Sequence, residues 1–308
     1  MENSLVSVII PSYNSSKTIV KCLTALEAQV DCHRFEIIVV DSSNDATEML
    51  IEERFPNIKL YHFDQKMYPG DARNYGVINS QGNILIFLDA DCFVKPTWLK
   101  QIIEAHGQTD HPVVGGAIAN GNPESYVGWG YYFSGFSQWM PQSHSFARTD
   151  IPTGCLSCKR WAFEKYGPFL EGGLCEDTLF TWKLADAGYQ ALFVPKIQVF
   201  HINIKDFGDL IKRKFKHGQN FAQLRVLEKN FSPIKQIIYA GGSFLLPFLI
   251  TYRRSKDVIK SGTYIYQFIL TLPVTLVGIL CWSLGEFFGY AGIGKPLESS
   301  ELIIRHKY

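Results

Sequence analysis

Ile84-Leu-Ile-Phe-Leu-Asp89-Ala-Asp91 is an apolar run that ends in two acids set one residue apart. A run with no polar face reads as a strand covered on both sides. Its carboxyl end delivers two carboxylates that can reach one divalent cation while that cation holds a diphosphate. Oxygen ligands of this kind suit Mg²⁺ or Mn²⁺. Taken alone, a D-x-D is also what two solvated loop aspartates look like.

The same grammar recurs on the amino-terminal side. Leu5–Ile10 is a β-branched run that stops at Pro11, and Phe35–Val40 is a second run that stops at Asp41. Ile58–His62 reads as a further strand. Between them Ile19, Leu23 and Leu26 recur at helical spacing, with Ser15 or Ser16 placed to cap. Thr47–Phe55, Asp71–Asn79 and Trp98–His106 also read as helices. Strands this apolar need helices on both faces, which predicts an α/β fold with a mostly parallel sheet. Ligands in such sheets bind beyond the carboxyl ends of the strands. That rule selects Pro11, Tyr13 and Asn14, then Asp41–Asp45, then Asp89 and Asp91. Asp41 can accept hydrogen bonds from a base or ribose there, or cap the helix that follows it.

On the carboxyl-terminal side, residues 120–151 turn into Gly, Ser and aromatics and read as a loop-rich insertion. Arg160–Tyr166 and Asp177–Ala187 read as helices separated by the Gly-rich Glu171–Leu174, and Leu192–Val199 as a strand. Glu176 and Asp177 open the second helix, where the dipole stabilises a carboxylate as an anion. That suits a general base, and it equally suits a plain N-cap. Lys205–Asn230 is amphipathic and basic.

The last part changes character. Gln236–Tyr252 and Ser261–Gly285 carry no charge, and the second is long enough to cross a hydrocarbon core of about 30 Å. The expected division is therefore 1–230 for the α/β domain and 231–308 for a hydrophobic, membrane-associated helical region. Buried core helices are the plain alternative. Basic residues flank the first segment on both sides, which conflicts with two full spans unless that segment is re-entrant or in-plane.

Composition narrows the rest. The 308 residues carry a net charge of +1, which gives no global pull toward nucleic acid. Seven cysteines, scattered through apolar stretches, do not form a disulfide framework and fit a reducing compartment. Cys155 and Cys158 form a C-x-x-C with no second pair to complete a zinc site. Met1–Ser4 lacks the basic start of a signal peptide, so the α/β domain is expected in the cytoplasm, at the cell membrane.

Val6-Ser-Val-Ile-Ile-Pro-Ser-Tyr-Asn14, Ile38-Val-Val-Asp-Ser-Ser-Asn-Asp45, Ala72-Arg-Asn-Tyr-Gly76, Asp89-Ala-Asp91, Thr153-Gly154 and Glu176-Asp177 together resemble the family 2 glycosyltransferases of the GT-A fold, a Rossmann-like architecture. They stand in the family's order over roughly residues 5–205, and joint occurrence is far more specific than any one motif. The resemblance implies transfer of a single sugar, with inversion, from a nucleotide-diphosphate-sugar donor to a hydroxyl acceptor, possibly lipid-linked. It implies donor contacts by Pro11, Tyr13, Asn14, Asp41, Arg73, Asp89 and Glu176, and a Mg²⁺ or Mn²⁺ held by Asp89, Asp91 and His201. It makes Asp177 the base that deprotonates the acceptor. Ser42 stands where the family often has a second acid, which leaves the base specificity open. The Gln-x-x-Arg-Trp signature of processive synthases is absent, and this favours single transfer. Rival readings are a sugar-phosphate nucleotidyltransferase, which would carry a Gly- and Arg-rich loop after the first strand, and an inactive scaffold of the same fold.

Overall fold

The computed structural model describes residues 5–31, 35–141, 146–148 and 150–294, so Cys32 lies outside the described residues. Two compact units emerge. The first comprises Met1–Gly121, Pro141–Gly172 and Glu176–Ile202, and the second Asn122–Met140, Gly173–Cys175 and Asn203–Tyr308.

The first unit opens with β1 (Val6–Ser12), α1 (Ile19–Glu27), β2 (Phe35–Asp41), α2 (Thr47–Arg54), β3 (Lys59–His62), α3 (Pro69–Ile78) and β4 (Ile84–Phe87). Then come β5 (Cys92–Val94), α4 (Trp98–Gly107) and β6 (Val113–Asn120). After α5 (Tyr126–Gly135), which belongs to the second unit, follow β7 (Phe146–Arg148), β8 (Leu156–Lys159), α6 (Arg160–Tyr166), α7 (Glu176–Asp186) and β9 (Ala191–His201). They build one sheet in the order β3-β2-β1-β4-β8-β6-β9-β5, with β7 added on β9.

The expected parallel arrangement holds for β3-β2-β1-β4. Beyond β4 the sheet is mixed: β8 runs antiparallel to β4 and β6, β9 is parallel to β6, and β5 and β7 are antiparallel to β9. Pro11 sits in a central strand without cost. Its neighbour β4 stops pairing at Ile9, so its missing N–H leaves no gap in the ladder. β6 was not anticipated, because Gly115 and Gly116 interrupt its apolar pattern. A Cβ at Gly115 would lie 2.3 Å from Ile151, and one at Gly116 would lie 2.3 Å from the Ile197 carbonyl, so close approach requires both glycines. The start of α1 also differs from expectation. No side chain caps it, and the Ser15 carbonyl accepts from the Thr18 and Ile19 amides instead.

The second unit contains α5, α8 (Phe207–Glu228), α9 (Pro233–Gly242), α10 (Leu246–Ser261), α11 (Ile265–Leu270) and α12 (Leu272–Tyr290). The presumed insertion at 120–151 is thus partly helical: α5 buries Trp129, Tyr132 and Phe133, and its three glycines masked that pattern. Helices α8 and α12 pack backbone to backbone. A Cβ at Gly285 would lie 2.1 Å from the Phe215 carbonyl, and one at Gly218 would lie 2.2 Å from the Trp282 carbonyl. That contact places α8 with the C-terminal helices, whereas hydropathy alone suggested a boundary at 230.

Both uncharged segments are broken. Helices α9 and α10 meet at 62°, so Gln236–Tyr252 is not one straight helix. Gly262 and Tyr264 take left-handed φ values of 66° and 62°, which end α10 inside the second segment. Pro273 then sits at the first turn of α12, where its missing N–H is harmless. Among the described residues the helix long and apolar enough to cross a membrane is therefore Leu272–Tyr290, shifted from the expected Ser261–Gly285, and the bent α9–α10 pair is a second candidate only if it counts as one span. Exposed apolar side chains crowd this unit: Ile234, Ile237, Phe248 and Tyr266 are each more than 70 % exposed.

Candidate active site

The carboxyl ends of β1, β2 and β3 form one hydrogen-bonded rim. Asp41 closes β2 with no exposed surface. Its Oδ1 accepts from the Ser43 hydroxyl at 2.6 Å and its Oδ2 from the Ser43 amide at 3.1 Å, and His62 Nδ1 lies 2.8 Å from the same Oδ2. The Ser43 hydroxyl in turn accepts from the Asn14 amide at 2.7 Å, and Asn14 Oδ1 accepts from the Asn44 amide at 3.0 Å. Asn14 has a left-handed φ of 52°, a conformation its short polar side chain tolerates. Asp41 thus ties the loop after β1 to the loop after β2, and Tyr13 is left exposed with Lys66 Nζ 4.2 Å from its ring centre. His62 was not singled out from the sequence. The register was the missing signal: Asp41 and His62 are parallel partners at the ends of adjacent strands.

The second cluster lies beyond β4. Arg73 on α3 is buried; it donates to Asp89 Oδ1 at 2.5 Å and to Glu176 Oε1. Helix α3 is fixed against the stretch leading to Glu176 by Asn74, which donates to the Phe169 carbonyl at 3.0 Å and accepts from the Phe169 amide at 2.9 Å. Gly70 permits this approach, since a Cβ there would lie 2.1 Å from the Leu170 carbonyl. Asp177 follows Glu176 and accepts from the Thr178 amide at 2.7 Å and the Thr153 amide at 3.3 Å. Gly154 comes so close to Asp89 that a Cβ would lie 2.9 Å from Oδ2. Arg73, Asp89, Thr153-Gly154, Glu176 and Asp177, from four distant stretches of chain, thus converge.

Burial sets the electrostatics of this cluster. It pushes the Glu176 carboxyl up to about 7, against the pull of Arg73 and with help from Asp177. Asp177 is also raised by burial, with Arg73 and the two amide donors opposing. Burial alone would lower Arg73, but Asp89, Glu176 and Asp177 outweigh it and raise its pKa. The cluster holds a permanent cation among three acids, one of which exchanges its proton near neutrality.

Asp91 lies on the far side of the β4–β5 turn. His201 Nε2, at the end of β9, is 3.5 Å from Asp91 Oδ1. Ligand atoms of Asp91, Cys92 and His201 lie within 4.8 Å of one another, a spacing that can hold a cation. Cys92 is the residue the sequence reading did not include. Its thiol is buried and pushed well up, first by burial and then by Asp91 and Asp89, so it stays protonated and a poor ligand. The donors that fit a hard divalent cation are therefore the Asp91 carboxylate and the His201 imidazole, with Asp89 turned toward Arg73.

Known proteins resemble this chain in sequence and in fold. The family model described as "Glycosyl transferase family 2" matches residues 7–166. The glycosyltransferase AglE of Haloferax volcanii is 31 % identical over 233 residues, covering 73 % of this chain and 75 % of that protein. A Methanococcus voltae protein named dolichyl N-acetyl-alpha-D-glucosaminyl phosphate 3-beta-D-2,3-diacetamido-2,3-dideoxy-beta-D-glucuronosyltransferase is 24 % identical and covers 90 % of this chain and 88 % of its own. Among solved structures, the mannosyltransferase PcManGT from Pyrobaculum calidifontis, in complex with GDP-Man and Mn²⁺, superposes with a TM-score of 0.63. It covers 92 % of this chain and 87 % of its own at 18 % identity, a likeness of fold.

Proposed function

The chain belongs to glycosyl transferase family 2, and from that premise we propose that it moves a single sugar, with inversion, from a nucleotide-diphosphate-sugar to a hydroxyl of a lipid-linked acceptor. The observation that carries this reading is the convergence of Asp89, Arg73, Glu176 and Asp177 beside Thr153-Gly154. The PcManGT complex supports a nucleotide-sugar donor, and the Methanococcus voltae relative supports the acceptor class.

In this reading Tyr13 and Asn14 meet the nucleoside, and Asp41 acts through the Ser43–Asn14 link that holds their loop in place. Pro11 fixes the end of β1 from which that loop departs. Arg73 holds Asp89 and Glu176 in position and offsets negative charge as the diphosphate departs. Asp177, kept in place by the Thr178 and Thr153 amides, takes the proton from the acceptor hydroxyl. One base on one face, with no second carboxylate required as a nucleophile, is what inversion needs. Mg²⁺ or Mn²⁺, held by Asp91 and His201 with Asp89 near by, would supply charge stabilisation on the diphosphate.

The test is sugar transfer by the purified full chain with GDP- and UDP-sugars and Mn²⁺, repeated in EDTA. Activity with one donor is expected to vanish in EDTA and return with the metal; full activity without metal would refute the proposed dependence. Gly154→Ala adds a finer check. Its Cβ must displace Asp89, so the metal concentration for half-maximal rate should rise by roughly 10–100-fold with the fold intact. An unchanged metal requirement would separate Asp89 from the cation.

We further propose that the second unit attaches the chain to the membrane, with the donor-binding residues on the cytoplasmic side. The support is α12 together with the exposed apolar side chains of α9, α10 and α11. Cell fractionation should leave the full chain in the membrane pellet, released by detergent and not by high salt or alkaline carbonate. Release by salt alone would reduce the attachment to the basic residues.

A further inference from the structure

Helix α12 is long and apolar enough to cross a membrane, yet it packs as the core helix of the second unit. Its exposed positions are Pro273, Leu280 and Leu284. Helix α5 lies against its first half: a Cβ at Gly130 would be 2.3 Å from Val274, and one at Gly278 would be 2.7 Å from the Ser134 hydroxyl. Helix α8 runs along the rest. Beyond the approaches at Gly218 and Gly285, a Cβ at Gly289 would lie 2.5 Å from the Gln219 carbonyl and 2.7 Å from Ala222. Polar groups join the same seam. Trp282 Nε1 donates to the buried Glu286 at 2.5 Å, and Arg225 of α8 donates to the Tyr290 hydroxyl at 3.3 Å.

Helix α8 brings charge with it. Lys212, Arg213 and Lys216 are exposed on the stretch that lies along α12. Lys216 falls between Phe215 and Gly218, which meet Gly285 and Trp282, so it stands level with the middle of α12. If α12 crossed the hydrocarbon core, α8 would enter with it, and these cations would face lipid far from both headgroup layers. Cations at that depth are costly and belong in a bundle interior or an aqueous cavity, whereas these point outward. Parting the two helices instead would open the glycine seam and strip Arg225 from Tyr290.

The surface suited to lipid lies elsewhere in this unit. Ile234, Ile237 and Ile238 stand at i, i+3 and i+4 on α9, all exposed, and so form one apolar stripe. Phe244, Leu245 and Phe248 continue the exposed apolar surface at the bend into α10. Helix α10 then turns basic, with Arg253, Lys256 and Lys260 exposed. Apolar stripes bordered by exposed cations suit helices lying in the plane of one leaflet, with the cations at anionic headgroups. We propose that the second unit is embedded in a single anionic leaflet through α9 and the start of α10, and that α12 does not cross the bilayer. This topology rests on the membrane attachment proposed above, which spanning and one-leaflet arrangements share.

Thiol labelling of the full chain tells them apart. Lys260→Cys and Ala291→Cys place thiols before and after α12, both at exposed positions. A membrane-impermeant maleimide is applied to sealed vesicles of each orientation, with wild type setting the background of native thiols. Both variants should be labelled in inside-out vesicles and protected in right-side-out ones. Labelling from opposite faces would overturn the one-leaflet topology while leaving the attachment intact. Recovery of the chain in the soluble fraction would remove the attachment itself, and this topology with it. After detergent removal, the purified chain should also float with vesicles containing phosphatidylglycerol at lower lipid concentration than with phosphatidylcholine alone. Equal flotation would overturn the preference for an anionic leaflet.

Discussion

Asp177→Asn should lower single-turnover transfer by roughly 10²–10⁴-fold, the usual scale for removing a general base. Donor and metal affinity should stay near the wild-type values. Asparagine has the same volume, and its carbonyl can still accept from the Thr178 amide that Asp177 now receives at 2.7 Å. What it loses is the capacity to take a proton. Glu176→Gln should hurt less and differently, because Glu176 is bound to Arg73 and serves to place it. Measuring transfer beside donor binding in both variants separates the roles. Near-normal transfer by Asp177→Asn would remove it as the base and leave Glu176 as the next candidate.

The pH dependence follows from the same cluster. Burial raises Asp177 despite Arg73, so the acid limb of kcat/KM should sit above the ordinary aspartate range. Glu176 contributes to stability with a definite sign. Its folded value of about 7 exceeds its ordinary 4.5, so the folded protein binds this proton more tightly than the unfolded chain does. Stability from this group is therefore greatest below about 4.5 and declines as pH rises toward about 7. Glu176→Gln should flatten that decline in an unfolding series across this window.

The legible parts of this protein were those with a local signature. β1, β2 and β4 each pair an apolar run with a polar stop, so Pro11, Asp41 and Asp89 could be placed at strand ends from spacing alone. The Arg73 contacts could not, because Arg73, Asp89 and Glu176 meet only through tertiary packing across 103 residues of chain. The same holds for His201, brought to Asp91 by the antiparallel pairing of β5 and β9. Strand β5 has three residues and β6 contains two glycines, so neither shows a period to read. In the second unit, absence of charge was a sound guide to apolar helices but a poor guide to their ends. Gly262, Tyr264 and Pro273 set those ends through backbone conformation, which hydropathy does not register.

Arg73→Met is expected to be the most destabilising single change in the first unit. The Arg73 side chain is 3 % exposed, and it is shared between Asp89 and Glu176. Methionine fills similar space, so the loss is chiefly one of charge. Breaking a buried ion pair from one side costs roughly 3–5 kcal/mol, because the remaining charge is left uncompensated in a poor solvent. Here the remaining charges are Asp89, Glu176 and Asp177, which also repel one another. Proton uptake relieves part of that repulsion, and Glu176, already raised to about 7, is the group best placed to accept the proton. The penalty should therefore depend on pH, small in mild acid, where Glu176 is protonated, and growing as pH rises through neutrality and that proton becomes harder to hold. The measurement is the difference in unfolding temperature between variant and wild type on both sides of neutrality. A difference that widens with pH identifies Arg73 as the counter-charge of the acidic cluster. A constant difference would mean that Arg73 contributes by packing, and the charge-balancing role assigned to it at the diphosphate would lose its support.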